Sequence, residues 1–445
     1  MGAPPSFLQD VDLVILDMDG VLTSEDAYWD TAGLVIQDLL ESPAYLGLSP
    51  PHYTPIVEGY YQRLSKSGRS DWRKYLPSEM ILHCKARGIN SNWDLAYLVA
   101  GIYLASLFRP ALKGLYAATR RDVGASPPEG EDSAHEDWIQ NLLPRLKHHL
   151  EPVWEDLLNK TRRGEWNTIL RVNEFHGWGG IFREQKITMT PVQHIELRIM
   201  DDFHPDIRGL QLLDELNRWL DPSPWIHWNV FGRETALWED CRDLFQTWYL
   251  GEALYESVYH RPVSYRPKPG LVHGEEPLLG RKRTHDCLER LTQAGITLGI
   301  STGRPRIEIM TPLQEWGMER YFDPARISTY TDIEEAEEAL RSRGIESALS
   351  KPHPFVFLRS ILPGQPPETL ARFDGRLEEA RRVLIVGDAQ ADIWAAQQIG
   401  CPCAALLSGA IGPDSRRHLE QAHPDLICQD MEELTGLILR AKRKQ

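Results

Sequence analysis

The amino-acid sequence predicts an α/β protein whose mostly parallel sheet is interrupted by a large, mainly helical insertion. Three observations carry that prediction. Short apolar runs that stop at Gly or Asp lie near both ends of the chain, as in VDLVILDMDG and VLIVGDAQAD. Helical patterns separate the later runs, the alternation that builds parallel sheets. From about Asp26 to Gly270 the pattern changes to Trp, Tyr and Leu at helical spacings, as in WDLAYLVAGIYLASLF and LLDELNRWL.

Along the chain, VDLVILDMDG reads as a strand ending in a turn. The longest helix-like apolar run, Leu95 to Phe108, spans 14 residues and follows Asp94. It is short for a bilayer crossing and reads as a buried helix. The polar, turn-rich segment from Thr119 to Asp137 reads as a surface loop dividing the helical region. GITLGISTGRP is a second strand, ending in Gly303 and Pro305. LPGQPPETLARFDG looks like an extension before the strand VLIVG, and RRVLIVGDAQADIWAAQQIG reads as strand, loop and amphipathic helix. CPCAALLSG gives another strand and loop, and PDLICQDMEELTGLILRA a strand-like stretch with a closing helix. The basic tail RAKRKQ is expected to fray. The resulting domain plan is a core made of residues 1–25 and 271–445, with a helical cap at 26–270.

Composition narrows the function classes. At 445 residues the chain exceeds one typical domain, and 42% hydrophobic content supplies ample core. The formal charge of -15, from 49 basic and 64 acidic residues, disfavours nucleic acid or an anionic membrane as partner. A local basic pocket for a phosphorylated small molecule stays compatible with it. Six cysteines do not make a disulfide framework. Cys401 and Cys403 have a metal-pair spacing, but their apolar setting and the lack of a second pair read as buried free thiols. MGAPPSFLQD has neither the basic region nor the apolar run of a secretory signal, so a soluble cytoplasmic protein is expected.

The chemistry gathers where strands end. Asp17 and Asp19 flank Met18, and Gly20 suggests that the chain turns at once, which would let both carboxylates approach one reacting group. Asp388 and Asp392, in GDAQAD, follow another apolar strand. The carboxyl edge of a parallel sheet is the usual ligand crevice. Clustered carboxylates repel one another unless a hard cation joins them, and Mg²⁺ prefers such oxygen ligands along with water and substrate phosphate. Thr302 and Gly303, in STGRP, offer a hydroxyl and backbone N–H groups suited to phosphate oxygens. Lys351, in LSKPHPF, adds a cation able to balance phosphate and nucleophile. Alone, each could be a cap, a turn or a solvated charge.

In chain order these elements resemble the haloacid dehalogenase-like hydrolase superfamily. The matching residues are Asp17, Asp19 and Gly20 in DMDGV, Thr302 in STGRP, Lys351 in KPHP, and Gly387, Asp388 and Asp392 in GDAQAD. The likeness covers about Leu13 to Thr23 and Glu276 to Leu439. It implies a Rossmann-like core with a cap, and a phosphatase branch similar to phosphoglycolate phosphatase-like proteins, including the strands in CAALLSG and PDLIC. By that resemblance Asp17 is the nucleophile that forms an aspartyl-phosphate, and Asp19 is the acid and then the base. Mg²⁺ would be held by Asp17, the Asp19 backbone carbonyl, Asp388 and a phosphate oxygen, with Asp392 contributing directly or through water. Thr302 would hold a phosphate oxygen, and Lys351 would hold Asp17 and the phosphate. A second aspartate argues against dehalogenation, since halide needs no leaving-group acid. The expected activity is hydrolysis of a small phosphorylated metabolite. The alternatives are a sugar phosphomutase and an inactive phosphometabolite-binding or protein-interaction module.

The insertion is larger than the usual cap, which favours substrate specificity or a protein interface on it. Glu25 and Asp26 follow the first motif directly and read either as cap-entrance acids that meet substrate hydroxyls or as solvated helix caps. Tyr28 and Trp29 could form apolar pocket walls. His176, Trp178 and Arg183, in RVNEFHGWGGIFREQ, could serve a ligand. Asp201, Asp202, His204 and Asp206, in DDFHPDIRG, could bind metal, but the pattern reads first as a polar turn. Leu237, Leu244 and Trp248 read as a packing face, with Arg242 and Gln246 able to face a pocket.

Overall fold

A computed structural model describes residues 4–42, 75–89, 91–106, 202–209, 211–220, 231–232, 235–263, 268–409 and 415–443. The chain divides into two compact units, Met1–Ala27 with Leu271–Gln445, and Tyr28–Gly270.

The first unit is built on a six-stranded, all-parallel sheet in the order β3-β2-β1-β4-β5-β6. The strands are β1 (Leu13–Leu16), β2 (Thr297–Ser301), β3 (Ile327–Ser328), β4 (Val383–Gly387), β5 (Cys403–Leu406) and β6 (Leu426–Cys428). Strand side chains alternate between faces, so β1 divides its four residues between two cores. Val14 and Leu16 join Leu298, Ile300, Leu384 and Val386 under the helices Arg281–Gln293, Arg306–Glu315 and Met431–Lys442. Leu13 and Ile15 join Val383, Ile385 and Cys403 on the other face, under Tyr330–Arg341, Phe355–Ile361 and Gln390–Ile399. Burial on both faces explains why these strands read as continuous apolar runs rather than alternating ones. The α/β fold class with a mostly parallel sheet is therefore the observed one, beside a substantial helical region.

The strand order reverses direction between β1 and β4, the switch point where loops diverge and leave a crevice at the carboxyl edge. Leu16 lies opposite Ile300 on one side and Val386 on the other. The residues following β1, β2 and β4 thus emerge side by side. β3, only two residues long, gives no periodic signal in the sequence. The tail departs from expectation: Arg440 to Lys442 belong to the last helix, and Lys442 Nζ donates to the Gln9 carbonyl at 3.0 Å. That bond ties down the first half of the tail, and residues 444–445 lie outside the described residues. All six cysteines are buried free thiols, and burial pushes Cys401 and Cys403 up to about 12.

In the second unit, the described residues are mostly helical: the helix Asp26–Glu41 continues into it, followed by Ser78–Ala86, residues 92–106, Gln211–Leu220 and Ala236–Tyr259. Its interior holds Trp248, Tyr97, Tyr249, Phe231 and Phe245. Residues 95–106 are the buried helix read from the sequence; Leu107 and Phe108 lie outside the described residues, as does the loop 119–137. A buried ion pair joins Lys268 Nζ to Asp38 Oδ2 at 2.7 Å, and Trp248 Nε1 donates to the same oxygen at 3.1 Å. Gly251 interrupts the long helix at φ +78°, and a Cβ there would lie 2.9 Å from the Gly270 backbone, so glycine permits both the break and the contact.

Candidate active site

β1 delivers its final residue, Leu16, to the middle of the sheet, and Asp17 follows while still tied to it: its N–H donates to the Val386 carbonyl at 2.9 Å. The chain then turns tightly. Asp17 Oδ1 accepts the Met18 N–H at 2.8 Å, and Gly20 at φ +68° donates to the Thr23 carbonyl at 2.7 Å. The turn needs glycine twice over, because a Cβ at Gly20 would also sit 1.9 Å from Asp388 Oδ2. Gly409, after β5, clears the other side of Asp388, where a Cβ would meet the same oxygen at 2.2 Å.

Asp388 and Asp392 arrive from β4. Asp392 lies in the first turn of the helix Gln390–Ile399, where its Oδ2 accepts the Ala389 N–H at 3.2 Å. Lys351 comes from the loop before the helix Phe355–Ile361, whose Ser360 hydroxyl donates to the Ile300 carbonyl at 2.8 Å and so fastens it to β2. Lys351 Nζ stands 3.0 Å from Asp17 Oδ1 and 2.8 Å from Asp392 Oδ1. Asp17, Asp388 and Asp392 can each offer an oxygen within 4.8 Å of the others, and among the described residues no other group of three or more His, Cys, Asp or Glu converges this way.

The electrostatics follow from burial. Desolvation, opposed by Lys351 and reinforced by Asp392 and Asp19, pushes the Asp17 carboxyl up to about 7. Asp388 lies well above the ordinary carboxylate range, through burial first and then the charges of Asp392, Asp17, Glu25 and Asp19. Burial alone would lower Lys351, but Asp17 and Asp392 outweigh it and hold the ammonium protonated. One lysine does not balance three buried carboxylates, so their full ionisation is disfavoured until further positive charge arrives. An all-oxygen donor set in that condition fits a hard divalent cation.

Asp19 turns away from this cluster. Its carboxylate lies in the fork of Arg304, with Nε 3.0 Å from each oxygen, and Nη2 also donates to Oδ1. The other edge of the same guanidinium grips Glu275, with Nη1 2.9 and 3.0 Å from the two carboxylate oxygens. Arg304 is only 2% exposed. Thr302, at the end of β2, is buried, and its Oγ1 accepts the Arg304 N–H at 3.2 Å. Gly303 between them is exposed.

Glu25 is half-buried and near enough to raise Asp388, and Asp26 opens the helix Asp26–Glu41. Among the described residues of the insertion no comparable site forms. Asp202 accepts from Trp219 Nε1 at 3.4 Å, while His204 and Asp206 are largely exposed and 3.8 Å apart. Arg242 pairs with Glu239 at 2.8 Å, and Gln246 is buried. His176, Trp178, Arg183 and Asp201 lie outside the described residues. Sequence reasoning missed Arg304 and Glu275. Arg304 stands inside STGRP, a visible signal, whereas Glu275 had none.

The fold and the site define a class: a Rossmann-like α/β protein with buried acids and one lysine at the switch point of its sheet. Residues 348–434 match the family model described as HAD-hydrolase-like, a segment holding Lys351, Asp388 and Asp392. Over that segment the chain is similar to haloacid dehalogenase-like hydrolases. A structural-genomics consortium target solved by X-ray is 23% identical, with 98% of this chain and 100% of that one covered and a TM-score of 0.66. That likeness is one of fold. A conserved haloacid dehalogenase-like protein of unknown function from Agrobacterium tumefaciens is 14% identical, covering 96% of this chain and 98% of its own, at a TM-score of 0.32. A predicted phosphoglycolate phosphatase from Haemophilus somnus is 17% identical over 52% of this chain and 77% of its own, at 0.28. Neither of these two carries weight at such scores. No curated protein sequence matches the chain. No described helix is long and apolar enough to cross a membrane.

Proposed function

We propose that this protein is a Mg²⁺-dependent phosphatase acting on a small-molecule phosphomonoester, with residues 1–25 and 271–445 as catalytic core and 26–270 as cap. The observation that carries the reading is Lys351 bridging Asp17 and Asp392 beside Asp388, at the mouth of β1 and β4. A pinned carboxylate with an adjacent cation is suited to nucleophilic attack on phosphorus. An Asp17 oxygen forms the new bond to phosphorus as the ester P–O bond breaks, and Asp19 gives its proton to the departing oxygen. Asp19 then takes a proton from the water that attacks phosphorus, and the Asp17–phosphorus bond breaks to release phosphate. Thr302 and the Gly303 N–H bind non-bridging oxygens, and Lys351 offsets their charge. Asp17, the Asp19 carbonyl, Asp388 and Asp392 are the residues that would hold Mg²⁺. When bound, the ion neutralises phosphate charge and that of the acids around it. Glu25 and Asp26 border the entrance to the site.

The test is a panel of small phosphate esters assayed with Mg²⁺, reading inorganic phosphate. Release from at least one ester is expected, and its loss in Asp17→Asn. Folded protein in Mg²⁺ that releases phosphate from none refutes the proposal. Phosphorus NMR on the same panel separates hydrolysis from transfer within a sugar phosphate, where an isomer would exceed free phosphate.

A further inference from the structure

Asp19 is the one acid of the first motif whose position does not come from the metal-ready cluster. Its side chain is 24% exposed and follows a turn, so left alone it would sample several rotamers. Arg304 removes that freedom. The guanidinium is a rigid planar fork, and its Nε and Nη2 edge meets both Asp19 oxygens. Nη2 also donates to Thr23 Oγ1 at 3.2 Å, and Thr23 lies 3.4 Å from Asp19 Oδ1 through the same hydroxyl. Among the described residues Asp19 Oδ2 accepts only the Nε–H, which leaves a lone pair for a proton shared with an ester oxygen.

The fork is itself held. Glu275 accepts two hydrogen bonds from Nη1, is 4% exposed, and has its carbonyl fixed by the buried Trp316 Nε1 at 3.2 Å. Its chain pairs with the first motif two residues later: Thr23 bridges Pro277, and the Leu278 N–H donates to the Leu22 carbonyl at 2.9 Å. Arg304 therefore joins three chain segments: the turn after β1, the loop after β2 and the segment returning from the insertion. A lysine at position 304 could not grip two carboxylates with one flat group.

We propose that Arg304 and Glu275 are positioning residues for Asp19. Arg304 sets the carboxylate and Glu275 sets Arg304, so proton delivery to the leaving oxygen depends on the pair while attack by Asp17 does not. This role rests on the hydrolase reading of Asp19.

The test uses the full chain with Mg²⁺, comparing the parent with Glu275→Gln and Arg304→Lys on substituted phenyl phosphates of graded leaving-group basicity. A 2,4-dinitrophenolate leaves with little need of a proton, whereas phenolate needs one. Both variants are expected to lose about 10- to 100-fold in kcat/KM on phenyl phosphate, below the ceiling of full acid–base catalysis, and under about threefold on the dinitrophenyl ester. Beryllium fluoride affinity, which reads the Asp17 side of the site, is expected to stay within about twofold of the parent. If Arg304→Lys does not fold, the near-isosteric Glu275→Gln carries the comparison. Equal losses at every leaving group, or none, in an active parent overturn the positioning role and leave the hydrolase reading standing. A parent that hydrolyses no ester overturns both.

Discussion

Replacing Lys351 by Met removes the cation from a buried group of acids, and its effect on stability can be worked from two distances. The ammonium lies 3.0 Å from Asp17 and 2.8 Å from Asp392. At an effective dielectric of about 20, each contact is worth about 5–6 kcal/mol of Coulomb energy. The desolvation of the ammonium, several kcal/mol, is recovered when the lysine is removed. What remains is the cost of leaving buried acids unpaired, about 3–5 kcal/mol for a broken buried pair. For a folding unit of this size that corresponds to a melting temperature lower by roughly 6–20 °C. The pH dependence supplies the discriminating sign. Asp17 rises from an ordinary 3.8 to about 7 in the folded protein even with Lys351 present. Between those values the folded state binds more protons than the unfolded one, so this stabilisation is present at low pH and is lost as pH rises through about 7. Without Lys351 the upper limit moves higher still. The Lys351→Met defect should therefore be large at pH 8 and smaller at pH 5.5, and Mg²⁺ should raise the variant's midpoint more than the parent's. Scanning calorimetry in chelator and in Mg²⁺ reads all of this. A variant that melts within about 1 °C of the parent at pH 8, or whose defect does not shrink with acid, refutes the charge-balance reasoning.

Two further outcomes follow from the geometry. Gly409→Ala puts a methyl where Asp388 Oδ2 and the Gly20 backbone stand, both 2.2 Å away. Calorimetric titration should find Mg²⁺ affinity about 10- to 100-fold weaker, the usual cost of disturbing what orients a ligand. In the second unit, Lys268→Met leaves Asp38 buried and should cost about 3–5 kcal/mol in urea unfolding followed by tryptophan fluorescence. The double change with Asp38→Asn should recover most of it, and an additive double variant would contradict the pairing.

The parts of this molecule that were legible in its sequence are those where one local pattern has one physical cause. β1 and β4 read as strands because both faces are buried, and their acids read as a site because each follows an apolar run at a turn. Lys351 and Thr302 could be paired with those acids only through a resemblance, and Lys351 reaches Asp17 and Asp392 from the loop before the helix Phe355–Ile361. β3 was unreadable because two residues hold no period. Glu275 was missed because its partner, Arg304, is 29 positions away with no shared pattern, and contact arises only where the returning segment crosses the first motif. The Asp38–Lys268 pair, 230 positions apart, was missed for the same reason. The turn holding Asp202, His204 and Asp206 held metal-ligand residue types, yet Asp202 pairs with a tryptophan, and His204 and Asp206 are exposed. Residue type without convergence makes no site.

The central claim is that Asp17 carries the phosphoryl group. Rapid quenching of the protein during turnover of p-nitrophenyl phosphate in Mg²⁺, followed by borohydride reduction and peptide mass spectrometry, tests it directly. Reduction of an acyl phosphate should convert Asp17 to homoserine in the parent, with no such conversion in Asp17→Asn. Phosphate release with Asp17 unmodified, or conversion at a different residue, would contradict the account.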